Sequence, residues 1–273
     1  MFIITPQDTN KLLLSVHSNY NIDLSVFCYN LLRYRISQFL GMHLLKDVRE
    51  LIDHLLDDEI HLDKFLAGIS AGSSELFRDP GTWKHLREEI LPELYSKFSE
   101  PVFWLPRSVS GHDAFSLLIL LAEDFSLNRC KIYSSASNFS DLKRIQAGRL
   151  EKQFTNLSYT NYLESGGKKN LKTYLDHKGD HIKPSLLRKI KFTRQYNLLS
   201  GVPDQVNMIV LRNQLLNYTQ TFKNNILNQL AEILQPGGIL ILGIKELIED
   251  ELVARKYAPL IADEGIYIKP VTR

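Results

Sequence analysis

The residues whose types and spacing suit chemistry are concentrated in FWLPRSVSGHDAFS, Phe103 to Ser116. An apolar run leads into a tight turn and then a helix that begins near Gly111, which is how an α/β protein points backbone N–H groups at an anionic or nucleotide-type ligand. Such turns are usually rich in glycine, because glycine lets the backbone pass close to the ligand through angles that a Cβ forbids. Here the turn reads Leu105-Pro106-Arg107-Ser108-Val109-Ser110-Gly111, so a cation and two hydroxyls precede its one glycine. An arginine at a helix N-terminus suits an anion, and Asp113 supplies the nearest carboxylate.

Charge is the second chemical feature. Between Leu150 and Phe192, Lys168, Lys169, Lys172, Lys178, Lys183, Arg188, Lys189 and Lys191 outnumber Glu164, Asp176 and Asp180. That stretch is either a solvated surface or an edge that captures an acidic or extended peptide. The whole chain is nearly neutral, with 33 Lys+Arg against 31 Asp+Glu in 273 residues, so composition does not indicate nucleic acid or a membrane surface as partner. Cys28 and Cys130 are the two cysteines, and neither has zinc-ligand spacing, which argues against a disulfide framework and structural zinc. No basic region precedes an apolar core at the N-terminus, and no apolar run is long enough to span a bilayer; the expectation is a soluble, cytoplasmic protein.

The elements that position these residues follow from apolar periodicity. Val26, Phe27, Leu31, Leu32, Ile36, Phe39 and Leu40 recur at helical spacing before Gly41, and LLKDVRELIDHLLDDEIHLDKFL repeats the pattern, with Asp57-Asp58-Glu59 as a solvated helix end. A helical domain is therefore predicted over residues 1–80. After the Pro80-Gly81 break, WKHLREEILPELYSKF predicts another helix. PVFWL, CKIYSSA, VNMIVLRN and GGILILGI then read as strands, alternating with helices at Ala114 to Phe125, FSDLKRIQAGRL and TFKNNILNQLAEIL. The alternation predicts an α/β domain over 81–273 with a parallel sheet and helices on both faces, and LPRSVSG, SSASN and RNQLLNY at the carboxyl ends of its strands. Short Tyr/Phe/Leu segments around Gly166-Gly167 and Lys178-Gly179-Asp180 predict a small antiparallel β-subdomain inserted at about 150–192.

Four strings in this order resemble one family, the CheR methyltransferases, which transfer a methyl group from S-adenosylmethionine to glutamates of chemoreceptors. ISAGSSELFRDPGTWKHLREEILPEL is similar to the family's join between helical and catalytic domains, and IKPSLLRKIKFTRQYNLL to its return from the inserted β-subdomain. MIVLRNQLLNY is similar to its fourth-strand motif, and LAEILQPGGILILG to its penultimate helix and strand. The resemblance covers nearly the whole chain. It implies a Rossmann-like class I methyltransferase domain behind the helical one, with S-adenosylmethionine as cofactor and a chemoreceptor or other signalling protein as partner. Position by position, it implies that Ser74, Arg78, Gly111, Asp113, Asn197, Leu198 and Asn213 meet the donor, and that Arg78 and Tyr218 serve catalysis. It further implies that Arg33 and Arg35 of the helical domain dock the partner, alongside Lys168, Lys169 and Lys172 of the basic insert.

The departures from the family fall at the donor. Arg107 replaces the first glycine of the turn, and a cation there opposes the sulfonium of the donor. Where the family has an acid that accepts hydrogen bonds from the ribose hydroxyls, this chain has Ser135-Ala136; Gly72 and Asn217 replace an asparagine and a tyrosine. Two charge-assisted hydrogen bonds, each worth about 1.5–3 kcal/mol, are missing at the ribose. The sequence thus predicts a CheR-like protein with impaired donor binding that works as a non-catalytic partner-binding protein. The alternatives are an active glutamate O-methyltransferase with an atypical pocket, and a pocket reassigned to an anion through Arg107.

Overall fold

The computed structural model describes residues 2–70, 74–125, 127–150, 155–195 and 201–271. The chain forms two compact units, residues 1–71 with 217–223, and residues 72–216 with 224–273.

The first unit is helical: α1 (Pro6–Tyr20), α2 (Tyr29–Met42), α3 (Val48–Asp57) and α4 (Glu59–Ile69). Thr5 and Asp8 close a capping box at the start of α1, Pro6 takes the first helical turn, and left-handed Asn21 ends it. The helix end read at Asp57-Asp58-Glu59 separates α3 from α4: Asp58 adopts extended angles and accepts the Ile60 amide as the cap of α4. Gly41 lies inside the last turn of α2 rather than beyond it. Leu12, Leu32, Ile36, Leu51, Phe65 and Ile69, spaced at helical intervals, close the core of this unit.

The second unit opens with α5 (Pro80–His85), a π-helical turn (Leu86–Ile90) and α6 (Leu91–Lys97). Pro92 cannot donate to the carbonyl four residues back, and the wider π turn before it accommodates the missing bond. There follow β1 (Val102–Leu105), α7 (His112–Asp124), β2 (Lys131–Ala136), α8 (Phe139–Ala147), α9 (Thr155–Glu164), α10 (Pro184–Leu187) and β3 (Ile190–Arg194). The chain continues through β4 (Val206–Val210), α11 (Gln220–Ile233), β5 (Leu234–Ile241), α12 (Glu251–Ala254), β6 (Ala258–Ile261) and β7 (Ile266–Ile268). The seven strands lie in the order β3-β2-β1-β4-β5-β7-β6, parallel from β3 to β5 and antiparallel at β5–β7 and β7–β6. The predicted parallel sheet is present, with three strands, β3, β6 and β7, that short or partly polar runs did not reveal. The middle of α7 is buried all round and forms the centre of the core with Phe103, Leu105, Met208 and Ile241.

The insert differs from the expected antiparallel β-subdomain. It contains α9, whose buried Ser158, Asn161 and Tyr162 recur at helical spacing, and among the described residues its antiparallel pairing consists of the isolated bridges Arg149–His181 and Leu175–Ile182. Gly166 and Gly179 do make turns, at φ +80° and +74°, but those turns join a helix and short bridges rather than strands. No helix of the described residues is long and apolar enough to cross a membrane.

Candidate functional site

The carboxyl ends of β1 and β4 open into a cleft of about 280 Å³ lined by Leu105, Ser108, Val109, Ser110, Gly111, Asp113, Val210, Arg212 and Gln214. Parallel α/β sheets hold ligands at this place. Backbone strain gathers here. Of the non-glycine residues with positive φ, Phe77 and Asp79 flank Arg78, Arg107 lies in the β1 turn and Asn213 follows β4. Asp and Asn adopt left-handed angles readily, so the strain is greatest at Phe77 and Arg107, where surrounding structure must hold the angle.

Arg212 organises the β4 side. Its side chain is fully buried, pairs with Asp79 at 2.7 Å and Asp113 at 3.3 Å, and lies 5.5 Å over the Trp83 ring. One guanidinium thus joins the end of β4 to the turn before α5 and to the first turn of α7. Ser116 adds a neutral link, donating to the His112 carbonyl and accepting the Phe77 amide. Beyond Arg212, the buried Glu246 carboxylate accepts the amides of Asn213 and Gly243 at 2.7 Å, Leu215 at 2.6 Å and Leu216 at 3.3 Å. Burial pushes this carboxyl above its ordinary pKa, and the four amide donors pull against that shift.

The β1–β2 side is held mainly by backbone and hydroxyl hydrogen bonds, with the Asp141–Arg144 pair beside it at 2.6 Å. Arg107 takes the left-handed conformation at φ +53°, and its amide donates to Ser135 Oγ at 3.3 Å. The Ser108 amide donates to the Ser135 carbonyl at 2.6 Å, and Ser134 Oγ donates to Ser108 Oγ at 3.0 Å. Ser135 Oγ donates in turn to Gln195 Oε1 at 2.5 Å, beside a fully buried Ala136. Asn138 caps α8 by accepting the Asp141 amide at 2.7 Å. A Cβ on Gly111 would approach Phe115 within 2.7 Å and Ile145 within 2.9 Å, so close packing accounts for this glycine as well as its φ of +82°.

The residues singled out from sequence divide accordingly. Gly111 and Asp113 line the cleft, while Asn213 belongs to its β4 rim. Ser74 donates to the neighbouring Glu75 carboxylate, and Arg78, about 39% exposed, lies 3.8 Å from Glu75. Asn197, Leu198 and Gly72 lie outside the described residues. Tyr218 belongs to the helical unit, where its buried ring packs 5.1 Å from Phe27 and 5.0 Å from Phe222. Arg33 donates to the Ile4 carbonyl, and Arg35 to the Ile69 carbonyl and to Asn217 Oδ1, so both guanidinium groups are built into that unit. In the insert, the Lys168 ammonium pairs with Asp124, whereas the side chains of Lys169 and Lys172 are exposed. Their neighbourhood is anchored by Glu123, which accepts Tyr162 Oη at 2.6 Å and the amides of Lys168 and Lys169, and pairs with the buried Arg87 at 2.9 Å. Burial alone would raise the Glu123 carboxyl, but the bonds from Tyr162 and Arg87 outweigh it and hold the pKa below its ordinary value. Burial and Glu123 push the Tyr174 hydroxyl up to about 12. Sequence reasoning missed Glu246, Gln195 and the Arg87–Glu123 pair, whose partners lie far away along the chain and leave no local spacing signal.

Five parallel strands, an antiparallel β7 beside β5, and a cleft where strand order reverses define the class I methyltransferase fold. The family described as "CheR methyltransferase, SAM binding domain" matches residues 72–259, more than half of the 273-residue chain, and the chain belongs to that family. A Pseudomonas putida protein named Cher3 is 26% identical over 267 residues, 97% of each chain. The chemotaxis protein methyltransferase of Listeria monocytogenes is 26% identical over 239 residues, covering 85% of this chain and 87% of its own. That of Borreliella burgdorferi is 26% identical over 260 residues, covering 90% and 89%.

S-adenosylmethionine is the cofactor of this family's domain. The side chains present here fit it incompletely. The donor offers an ammonium and two ribose hydroxyls, all of which seek acceptors; Asp113 lines the cleft and meets Arg212 through Oδ1 at 3.3 Å, a pairing that does not exclude the ammonium, whereas Glu246 is enclosed by four amides. At the end of β2 the acceptor position holds Ala136 and a Ser135 already bonded to Gln195.

Proposed function

We propose that this protein is a CheR-family component of chemosensory-type signalling with impaired S-adenosylmethionine binding, which acts by binding a protein partner rather than by methyl transfer. The single observation that carries this reading is the substitution of the β1–β2 side: left-handed Arg107 bonded to Ser135, and Ser135 bonded to Gln195. The family's ribose acid and first glycine would stand at these positions, so both acceptor and open backbone are replaced. The partner is the cytoplasmic region of a chemoreceptor or another acidic signalling protein. It meets the exposed cations Lys169 and Lys172, since Arg33, Arg35 and Lys168 already bond within the chain.

Thermal melting tests the reading. A ligand bound only by the native state raises the melting temperature by mass action, so millimolar S-adenosylmethionine or its demethylated product should leave the transition unmoved. A shift of several degrees would overturn the proposal.

A second reading, an active protein-glutamate O-methyltransferase with an atypical pocket, is favoured by the β4 side. Arg212 still bridges Asp79 and Asp113, and Arg78 still stands between two left-handed residues. Methyl transfer between a sulfonium and a carboxylate relies chiefly on positioning, and Arg78 would orient the carboxylate. The melting experiment separates the two readings.

A further inference from the structure

Glu246 follows β5, does not line the cleft, and is only about 3% exposed. A buried carboxylate is costly unless its lone pairs are met, and the four donors that meet it are backbone amides from two separate segments. Oε2 accepts from Asn213 and Gly243, while Oε1 accepts from Leu215 and Leu216. Successive amides turned inward in this way form a nest, the concavity that proteins use to hold small anions. Asn213 reaches it through a left-handed φ of +58°, and a Cβ on Gly243 would fall 2.8 Å from Asn213 Oδ1 and 2.9 Å from Glu246 Oε2. The site therefore admits a carboxylate only because residue 243 is glycine. Gln214, between the nest's first two β4-side amides, lines the cleft, and its Nε2 lies 3.4 Å from the Pro106 carbonyl.

We propose that Glu246 is a positioning residue of the cleft: its carboxylate fills an amide nest as an external anion would, and so fixes the rim that carries Arg212, Asn213 and Gln214. This holds whether or not the cleft takes S-adenosylmethionine. Without the charge, the rim amides lose their common acceptor, and Gln214 loses the backbone that aims it at the β1 turn.

Amide hydrogen exchange resolved by residue on the full chain tests the proposal. In Glu246→Gln, one acceptor oxygen is replaced by an NH₂ group, and exchange should speed up at least about tenfold at two of the four nest amides, the loss expected for a charge-assisted bond. In Glu246→Ala all four should speed up, and added formate should slow them again in that variant alone, because the glutamine still fills the nest. The amides of Leu211, bonded to Ile241, and Leu242, bonded to Gly265, serve as controls and should change less than about twofold. Wild-type rates at the nest amides, acceleration shared equally by the controls, or a folded Ala variant indifferent to formate would each overturn the proposal. Should the Ala variant not fold, the Gln variant decides by its nest-to-control ratio.

Discussion

On the β4 side of the cleft every charge is answered. Arg212 is matched by Asp79 and Asp113, and Glu246 by four amides drawn from two loops. On the β1–β2 side the hydroxyls and backbone bond among Ser108, Ser134, Ser135 and Gln195, and Arg144 joins its partner Asp141 to the Val109 carbonyl of the β1 turn. Both sides are loops after parallel strands, but the first is organised around the Arg212 and Glu246 charges and the second chiefly around hydroxyl and backbone hydrogen bonds. The difference separates two things that a family resemblance joins: the scaffold that shapes a cleft, and the acceptors that recognise a particular ligand in it. Here the scaffold is that of the family, and the proposal of impaired donor binding rests on the β1–β2 side, where Ser135 and Ala136 stand at the end of β2.

The comparison breaks most visibly at Arg212. Arg212→Ala would leave two partly buried carboxylates facing each other without their cation, a loss of about 3 kcal/mol in urea unfolding. A cost below about 1 kcal/mol would mean that the β4 side is not organised around that ion. Glu123 is the next test, since it anchors the insert as Glu246 anchors the rim. Glu123→Gln should cost about 2 kcal/mol, because Arg87 keeps Asp124 as a partner. Its folded pKa is depressed, so its contribution is present above the unfolded value of about 4.3 and lost as the pH falls through the lower folded value. Acid titration of the Lys168 and Lys169 amides in the wild type should show that step, and the Gln variant should lack it.

Smaller effects sharpen the β1–β2 side. Arg107→Gly removes a Cβ from a left-handed residue and should stabilise the protein by about 1 kcal/mol in the same unfolding assay. Destabilisation instead would show that the Arg107 side chain, not the turn geometry, holds the loop. Charge reversal at Lys169 and Lys172 should leave unfolding within about 0.5 kcal/mol of wild type while abolishing salt-sensitive binding of a chemoreceptor cytoplasmic fragment.

The sheet was legible because its central strands are apolar runs between periodic helices, as VFWL and VNMIV illustrate. β3, with Lys191 and Thr193 in five residues, and the short β6 and β7 carry too little pattern to be read that way. In the insert the paired glycines suggest hairpins; the described residues there hold two antiparallel bridges and also α9, whose Ser158, Asn161 and Tyr162 are buried at helical spacing. In the cleft, Gly111, Asp113 and Arg212 could be located by position alone, since strand ends predict clefts. Whether a residue faces a ligand or another residue could not. Arg33 and Arg35 look like docking cations in sequence, but they donate to carbonyls brought close by the fold from about 30 residues away. Glu246 and Gln195 show the reverse case, ordinary polar residues in sequence that complete opposite sides of the cleft.

The proposal that donor binding is impaired chiefly at the β1–β2 side is tested most directly by titration calorimetry on the double variant Arg107→Gly, Ala136→Asp. The account predicts no heat for the wild type with millimolar S-adenosylhomocysteine, and a saturable binding isotherm for the double variant, whose β4 side is unchanged. Binding by the wild type, or none by a folded double variant, would contradict it.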